Sequence, residues 1–387
     1  MKYLGLELQI LIEKGAAHTA REISQQPEVW QTVWKEVNGN QLALRKFLEI
    51  ALQDSKRIIL TGAGTSAFIG LSLSGLFQRK TGILTDVIAT TDLVSHPKDY
   101  LHPDVPVLMI SFARSGNSPE SVAAIALTNE LSKRSYHLII TCNSDGKLAR
   151  HGSAENKFVF TLPKEANDQS LAMTSSYSGM LLAGILIAQL QELESAKQMV
   201  DVISGYGRKI INYYADDLRK IAEKKFSRAV FLGSGPFFGT AKESHLKLQE
   251  LTDGRIICKE DSFLGFRHGP KAVIDNTTLV FYIFSNEDYV SKYERDLVNS
   301  MKKGHPPQLE VGIMESVLPN INLDYIFYLS ENGTRVSEEY LAVCSVLPAQ
   351  ILGFYKSLQL GLRPDSPSVT GAITRVVEGV QIYDLNV

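Results

Sequence analysis

The stretches "RIILTGAG" (57–64) and "RAVFLGSG" (228–235) share one plan: an arginine, a short run of strand-forming residues, then Gly-x-Gly. Each is followed by helical spacing, so each reads as a buried strand, a tight turn and a helix. The offset from 57 to 228 is 171 residues, and it carries "VLMISF" (107–112) onto "TLVFYI" (278–283). It also carries "HLIIT" (137–141) onto "QLEVG" (308–312) without a gap, and "KFVFTL" (157–162) to within a few residues of "YIFYLS" (325–330). A period this long marks a duplicated domain and not a solenoid unit.

Within each copy, β-rich runs alternate with helical segments such as 71–79, 118–134 and 335–360. That alternation predicts parallel strands covered by helices. The expected fold is α/β: two tandem doubly wound parallel-sheet domains after an N-terminal helical segment. The expected boundaries are 1–45 for that segment, 46–195 for the first domain, 196–227 for a helical connector and 228–387 for the second domain. In such sheets ligands bind beyond the carboxyl ends of the strands, where the strand order reverses.

The 387 residues exceed what a single core supports, in line with two lobes. Forty basic against 42 acidic residues leave a formal charge of −2, which offers neither a polybasic nucleic-acid face nor an acidic tail. Cys142, Cys258 and Cys344 are scattered and odd in number, as in a reducing compartment, and form no C-x-x-C pair. The start of the chain does not read as a signal peptide, and "MLLAGILIAQL" (180–190) is too short to span a membrane. A cytoplasmic protein is expected, with no metal-ligand spacing and no cofactor motif. "GAGTSAFIG" lacks the dinucleotide register, and neither Asp86 nor Asp92 falls where a ribose-binding acid belongs.

"SFARSGNSPES" (111–121) follows the apolar run "VPVLMI" and leads into a helix. A helix start offers unpaired N–H groups and the positive end of a dipole. Ser115 and Ser118 add hydroxyls, Gly116 lets the backbone approach closely, and Arg114 could add a cationic fork. Thr65 and Ser66 open another helix after the first Gly-x-Gly. Two such turns at adjacent strand ends make a phosphate cradle, sparse enough in charge to suit a sugar monophosphate. The plainer reading makes Ser118 a helix cap and Ser115 a turn residue. The second copy favours the cradle, because "SNEDY" (285–289) stands there with two acids and "GSGPFF" (233–238) lacks the Thr–Ser pair.

Acid–base candidates lie in the second copy. The helix "TAKESHLKLQELTDG" carries Glu243, Lys247 and Glu250, and "FRHGPKAVI" sets His268 before Gly269 and Pro270. A histidine on a Gly-Pro turn is a plausible positioned base. Glu243 and Lys247 read as solvated helix face, as Glu250 would if taken alone, and His268 taken alone reads equally well as a surface or core histidine.

Together these motifs resemble the sugar isomerase (SIS) family, over almost the whole chain after residue 45. The resemblance rests on "RSGNSPES", on Gly64-Thr65-Ser66, on Leu246–Glu250 and on His268–Pro270, in that order. "CNSDGKLAR" (142–150), "NDQSLAMTSSYSGM" (167–180) and "DSFLGFRHGPK" (261–271) narrow it to the branch of tagatose-6-phosphate ketose/aldose isomerases, also assigned as galactosamine-6-phosphate deaminases. The resemblance implies phosphate held by Ser66, Ser115 and Ser118, catalysis by Glu250 and His268, and a sugar lined by Gln169 to Thr174. It also implies a homodimer or larger homo-oligomer in which His268 serves a neighbour's Glu250. One departure stands out. Glucosamine-6-phosphate synthase, in the same family, has a ring-opening lysine near its C-terminus, whereas this chain reaches about Ala372 there and has no lysine in 357–387.

The expected reaction is isomerisation-coupled deamination of galactosamine 6-phosphate to tagatose 6-phosphate and ammonia. The alternatives are aldose–ketose isomerisation without deamination, and a non-catalytic sugar-phosphate sensor. A sensor of the transcription-factor kind needs a DNA-binding arm, and residues 1–45 show no basic recognition helix.

Overall fold

The computed structural model describes residues 1–151, 155–377 and 379–385. Five parallel strands form the first sheet: β1 (Arg57–Thr61), β2 (Leu84–Val87), β3 (Val107–Ala113), β4 (Ser135–Thr141) and β5 (Lys157–Thr161). Five more form the second: β6 (Arg228–Leu232), β7 (Ile257–Asp261), β8 (Thr278–Ile283), β9 (Leu309–Met314) and β10 (Tyr325–Tyr328). The first runs β2-β1-β3-β4-β5 and the second β7-β6-β8-β9-β10, which is the same order. Topology thus bears out the duplication and the doubly wound class. The central strands β3 and β8 are buried at every residue, which is why their sequences are unbroken apolar runs.

The two Gly-x-Gly turns superimpose in conformation. Gly64 (φ 54°, ψ −128°) and Gly235 (φ 57°, ψ −128°) precede helices α1 (Thr65–Thr81) and α4 (Pro236–Leu251), in a region L side chains avoid. A Cβ on the first glycine of either turn would also collide with the helix it starts: 2.6 Å from the Ser66 carbonyl carbon at Gly62, 2.4 Å from the Phe237 oxygen at Gly233. Both glycines of the motif are steric requirements of one turn made twice.

One detail of the repeat differs from the expectation. His137 pairs with Met109, and Glu310 pairs with Val280, so the fourth strands correspond at an offset of 173 (137 to 310). The second copy carries two extra residues before β9, and the ungapped match of 137–141 to 308–312 is out of register by two.

Helices α2 (Pro119–Leu131) and α3 (Ser175–Ala188) accompany the first sheet, and α5 (Asp288–Met301) and α6 (Leu347–Gln359) the second. The segment predicted as helix over 335–360 is two helices, Glu338–Cys344 and α6. The stretch Glu338–Gln359 is long and apolar enough to cross a membrane, yet its apolar window is 94% buried, as in the core helix of a globular unit. Four helices precede β1: Leu8–Glu13, Ala17–Ser24, Gln26–Gly39 and Gln41–Asp54.

The chain forms two compact units. The first sheet belongs to Glu28–Asp168, Ser175–Gln198 and Ile373–Val387; the second belongs to Met1–Pro27, Gln169–Thr174 and Met199–Ala372. In the second unit, Val230, Leu232, Val280 and Tyr282 pack with Phe263, Phe266, Leu297, Val298 and Met301 on one face. Side chains alternate along a strand, so Ala229, Phe231, Leu279 and Phe281 point to the other face. Right-handed crossovers place α4 on that other face, because β6-to-β7 and β7-to-β8 step in opposite directions. There α4 packs against α6.

Candidate active site

In the first sheet β2 and β3 flank β1, so the order reverses between β1 and β3, and Thr61 pairs with Ser111 at their carboxyl ends. Thr65 and Ser66 leave β1 at that edge, and Arg114 to Ser118 leave β3 beside them. The structure therefore gathers Thr65, Ser66, Ser115 and Ser118 at the switch point where such sheets bind ligands. Thr65 and Ser66 are the first two residues of α1 and are buried.

Ser118 stands at the cap position of α2, but its hydroxyl makes no capping bond to that helix. It donates instead to Glu120 Oε2 at 2.5 Å. Ser115 Oγ accepts from the Asn117 amide at 3.2 Å, and Asn143 Nδ2 donates to the Ser115 carbonyl at 2.9 Å. The Leu148 amide donates to the Gly116 carbonyl at 2.8 Å, so the loop is braced against residues 143–148. Ser118 thus lacks the role the plainer reading gave it. Arg114 is buried, and its Nη2 donates to the carbonyl of Arg375.

Arg375 is a residue the sequence reading missed. Its Nε donates to the Asp168 carbonyl at 2.9 Å and its Nη2 to Asn167 Oδ1 at 3.1 Å. The Asp168 carboxylate, wholly buried, takes the amides of Ser175 (3.0 Å) and Ser176 (2.9 Å) at the start of α3. In the other unit the buried Glu22 accepts from the Gln169 amide at 2.5 Å and from the Ser170 amide at 3.3 Å. Gln169 is exposed and Thr174 is buried. Glu22 thus holds the amides that open the segment Gln169–Thr174, and Asp168 holds those that open α3. No local signal in the sequence pairs residue 22 with residue 169.

Glu243 and Lys247 overturn the expectation of a solvated face. Glu243 and Lys247 are 0% exposed, and Lys247 Nζ lies 3.3 Å from Glu243 Oε1 and 2.6 Å from Glu250 Oε2. Burial pulls the Lys247 ammonium down, but Glu243 and Glu250 outweigh it and hold it above the ordinary lysine range. The Glu250 side chain is 22% exposed, so of the two carboxylates on Lys247 it is the one that remains reachable. The missed signal was the stripe Thr240, Glu243, Lys247, Leu251, which has the same period as the buried face of α4.

His268 is exposed, on the turn after the short helix Phe263–Phe266. Phe263 and Phe266 pack on the sheet face opposite α4. Within one unit, therefore, the second sheet stands between His268 and Glu250, and the structure does not bring the pair together. Polar residues fill the second switch point. Ser285 donates its amide to Glu294 Oε2 at 2.9 Å and its hydroxyl to Glu338, while Asn286 Nδ2 donates to Glu315 Oε2 at 2.5 Å. Burial, with Glu338 adding to it, raises the Glu294 carboxyl to about 8 against the pull of the Ser285 amide. Carboxylates occupy in this copy the place the serines hold in the first.

Two doubly wound sheets of identical order, with a hydroxyl-lined switch point in the first, define a tandem sugar-isomerase-type protein, and the family model for the SIS domain matches residues 51–189. The chain is 38% identical to D-galactosamine-6-phosphate deaminase AgaS of Shewanella sp. (strain ANA-3), across 98% of this chain and 95% of that protein. The solved tagatose-6-phosphate ketose/aldose isomerase of Escherichia coli superposes with a TM-score of 0.87 at 33% identity, covering 96% of this chain and 97% of that one. A structure from Clostridium novyi NT, provisionally assigned to the same activity, superposes at 0.95 with 41% identity and 99% coverage of both chains. The chain belongs to the AgaS family of SIS-domain proteins.

Proposed function

We propose that this protein converts galactosamine 6-phosphate and water to tagatose 6-phosphate and ammonia. The observation that carries the reading is the near full-length similarity to AgaS, with Glu250 partly open beside a buried ammonium. The phosphate binds at Thr65, Ser66, Ser115 and Ser118, where hydroxyls and the starts of α1 and α2 favour an anion. Arg114, Gln169 and Thr174 shape the surroundings of the sugar.

His268 opens the pyranose by moving a proton from the anomeric hydroxyl to the ring oxygen. Glu250 takes the C2 proton of the open aldehyde, and the C2–H electron pair forms the enolamine double bond as the C1 carbonyl oxygen takes a proton from water to become a hydroxyl. Glu250 then returns its proton to C1, and the nitrogen lone pair forms an iminium at C2. Water adds to that carbon, the C–N bond breaks, and ammonia leaves; this last step is the hydrolytic one. Lys247 holds the Glu250 carboxylate in place, and a general base so oriented is worth about 10²–10⁴ in rate. Because the second sheet separates His268 from Glu250 in one chain, the pair is drawn from two chains, and the working protein is a homodimer or larger.

The test is ammonia release from a panel of hexosamine 6-phosphates, run beside interconversion of the matching hexose 6-phosphates. Ammonia from galactosamine 6-phosphate supports the proposal. Interconversion of aldose and ketose phosphates without ammonia replaces it with simple isomerisation, and no turnover of either replaces it with a sensor.

A further inference from the structure

The duplication provides an internal reference for every corner of the fold. By the offset of 171 that aligns Arg57 with Arg228, Ser55 corresponds to Phe226. In the second unit that corner is filled. Phe226 is buried, Lys356 Nζ sits 4.4 Å from its ring centre, and the same ammonium donates to the carbonyls of Ala222 (2.9 Å) and Lys224 (2.8 Å). In the first unit the corresponding corner is a cavity of about 620 Å³.

Its floor is apolar, from Leu48, Leu52, Ile187 and Leu190, and Leu84 lies on its wall although 59% exposed. Arg45, Lys56 and Lys80 bring three cations to the lining, against the single acid Glu49. Lys80 is paired with Glu192 at 2.6 Å. Among the described residues nothing pairs with the side chains of Arg45 or Lys56, and the buried Ser55 hydroxyl has no partner. Cations near helix ends often serve only to offset the dipole, which accounts for Lys80 in the last turn of α1. Arg45 lies in the second turn of its own helix, Gln41–Asp54, and escapes that account.

We propose that this corner is a second ligand site, for a small organic anion with an apolar body. The volume lies in the range of small-molecule sites. An apolar floor takes the body, and Arg45 with Lys56 takes the carboxylate or phosphate. The corner opens at the amino ends of β1 and β2, whereas the phosphate cradle lies at the carboxyl ends of β1 and β3. Five to seven residues of strand therefore separate it from the cradle, about 17–24 Å. A ligand here acts on the enzyme from a distance and does not compete with substrate.

The experiment is calorimetric titration of the full-length protein with 4-phenylbutanoate as probe and neutral 4-phenylbutan-1-ol as control. One site per chain is expected, with the alcohol at least tenfold weaker. Arg45→Met, which keeps the aliphatic reach and removes the charge, and Ser55→Phe, which copies the filled corner, should each weaken the probe at least tenfold. The Ser115→Ala, Ser118→Ala double variant should bind it as the wild type does. Unchanged affinity in folded Arg45→Met and Ser55→Phe overturns the proposal, as does loss of binding in the serine double variant. No binding, with Leu84→Glu lowering the mass of the assembly, also overturns it and makes the corner a contact between copies of the chain.

Discussion

Replacing Lys247 by methionine removes the ammonium from between two carboxylates while keeping most of its volume. Glu243 is then left 0% exposed without its cation, and Glu250 loses a 2.6 Å contact. Breaking a buried ion pair at one partner costs about 3–5 kcal/mol, because the remaining charge stays buried. In a unit of roughly 200 residues each kcal/mol lowers the melting temperature by about 2–4 °C, so a fall of about 6–20 °C is expected. Thermal melts by circular dichroism, with urea unfolding as a second measure, read this directly. Removing both charges, in Lys247→Met with Glu243→Leu, should recover most of the loss, since an apolar pair of similar volume needs no compensation. Turnover should stay low in the double variant, because Glu250 still lacks its anchor. A single variant within about 0.5 kcal/mol of wild type, the usual effect of a surface change, would refute the buried triad.

The double change Ser115→Ala with Ser118→Ala should raise KM for the 6-phosphate substrate strongly, each lost hydrogen bond to an anion being worth about 1.5–3 kcal/mol; unchanged kinetics would place the phosphate elsewhere. Glu294 titrates near 8 in the folded chain, so between its unfolded value and that pH the native state holds a proton the unfolded state has released. Stability should accordingly fall as pH rises from about 4.5 to 8, and Glu294→Gln should flatten the slope in a pH series of urea unfolding curves. Inactive Glu250→Gln and His268→Ala subunits, mixed and reassembled, should regain some activity, and silent but proven heterodimers would assign a complete pair to each chain.

The duplicated sheets were legible because strand, Gly-x-Gly turn and helix are set by local sequence, and two-sided burial writes itself as an apolar run in β3 and β8. The placement of the hydroxyls at the first switch point was legible for the same reason, since they sit at the start of α1 and in the short turn before α2. Register between β8 and β9 was not, because two extra residues in a connection leave no mark on the strands themselves. Glu243 and Lys247 were misread because charge alone argued for solvent, while their place on the buried stripe of α4 depended on α6, over a hundred residues on. Asp168, Glu22 and Arg375 were missed for a related reason. Most of their partners are backbone amides and carbonyls, which have no signature in sequence.

The most direct measurement of the central claim runs the enzyme on galactosamine 6-phosphate in deuterated water, following ammonia and the ketose phosphate together. Ammonia and tagatose 6-phosphate should appear one for one, with deuterium at C1 of the ketose and both products lost together in Glu250→Gln. Partial label fits, because one base can return the proton it removed. Ammonia formed with no label at C1 and unaffected by Glu250→Gln would contradict proton transfer by Glu250 through an enolamine.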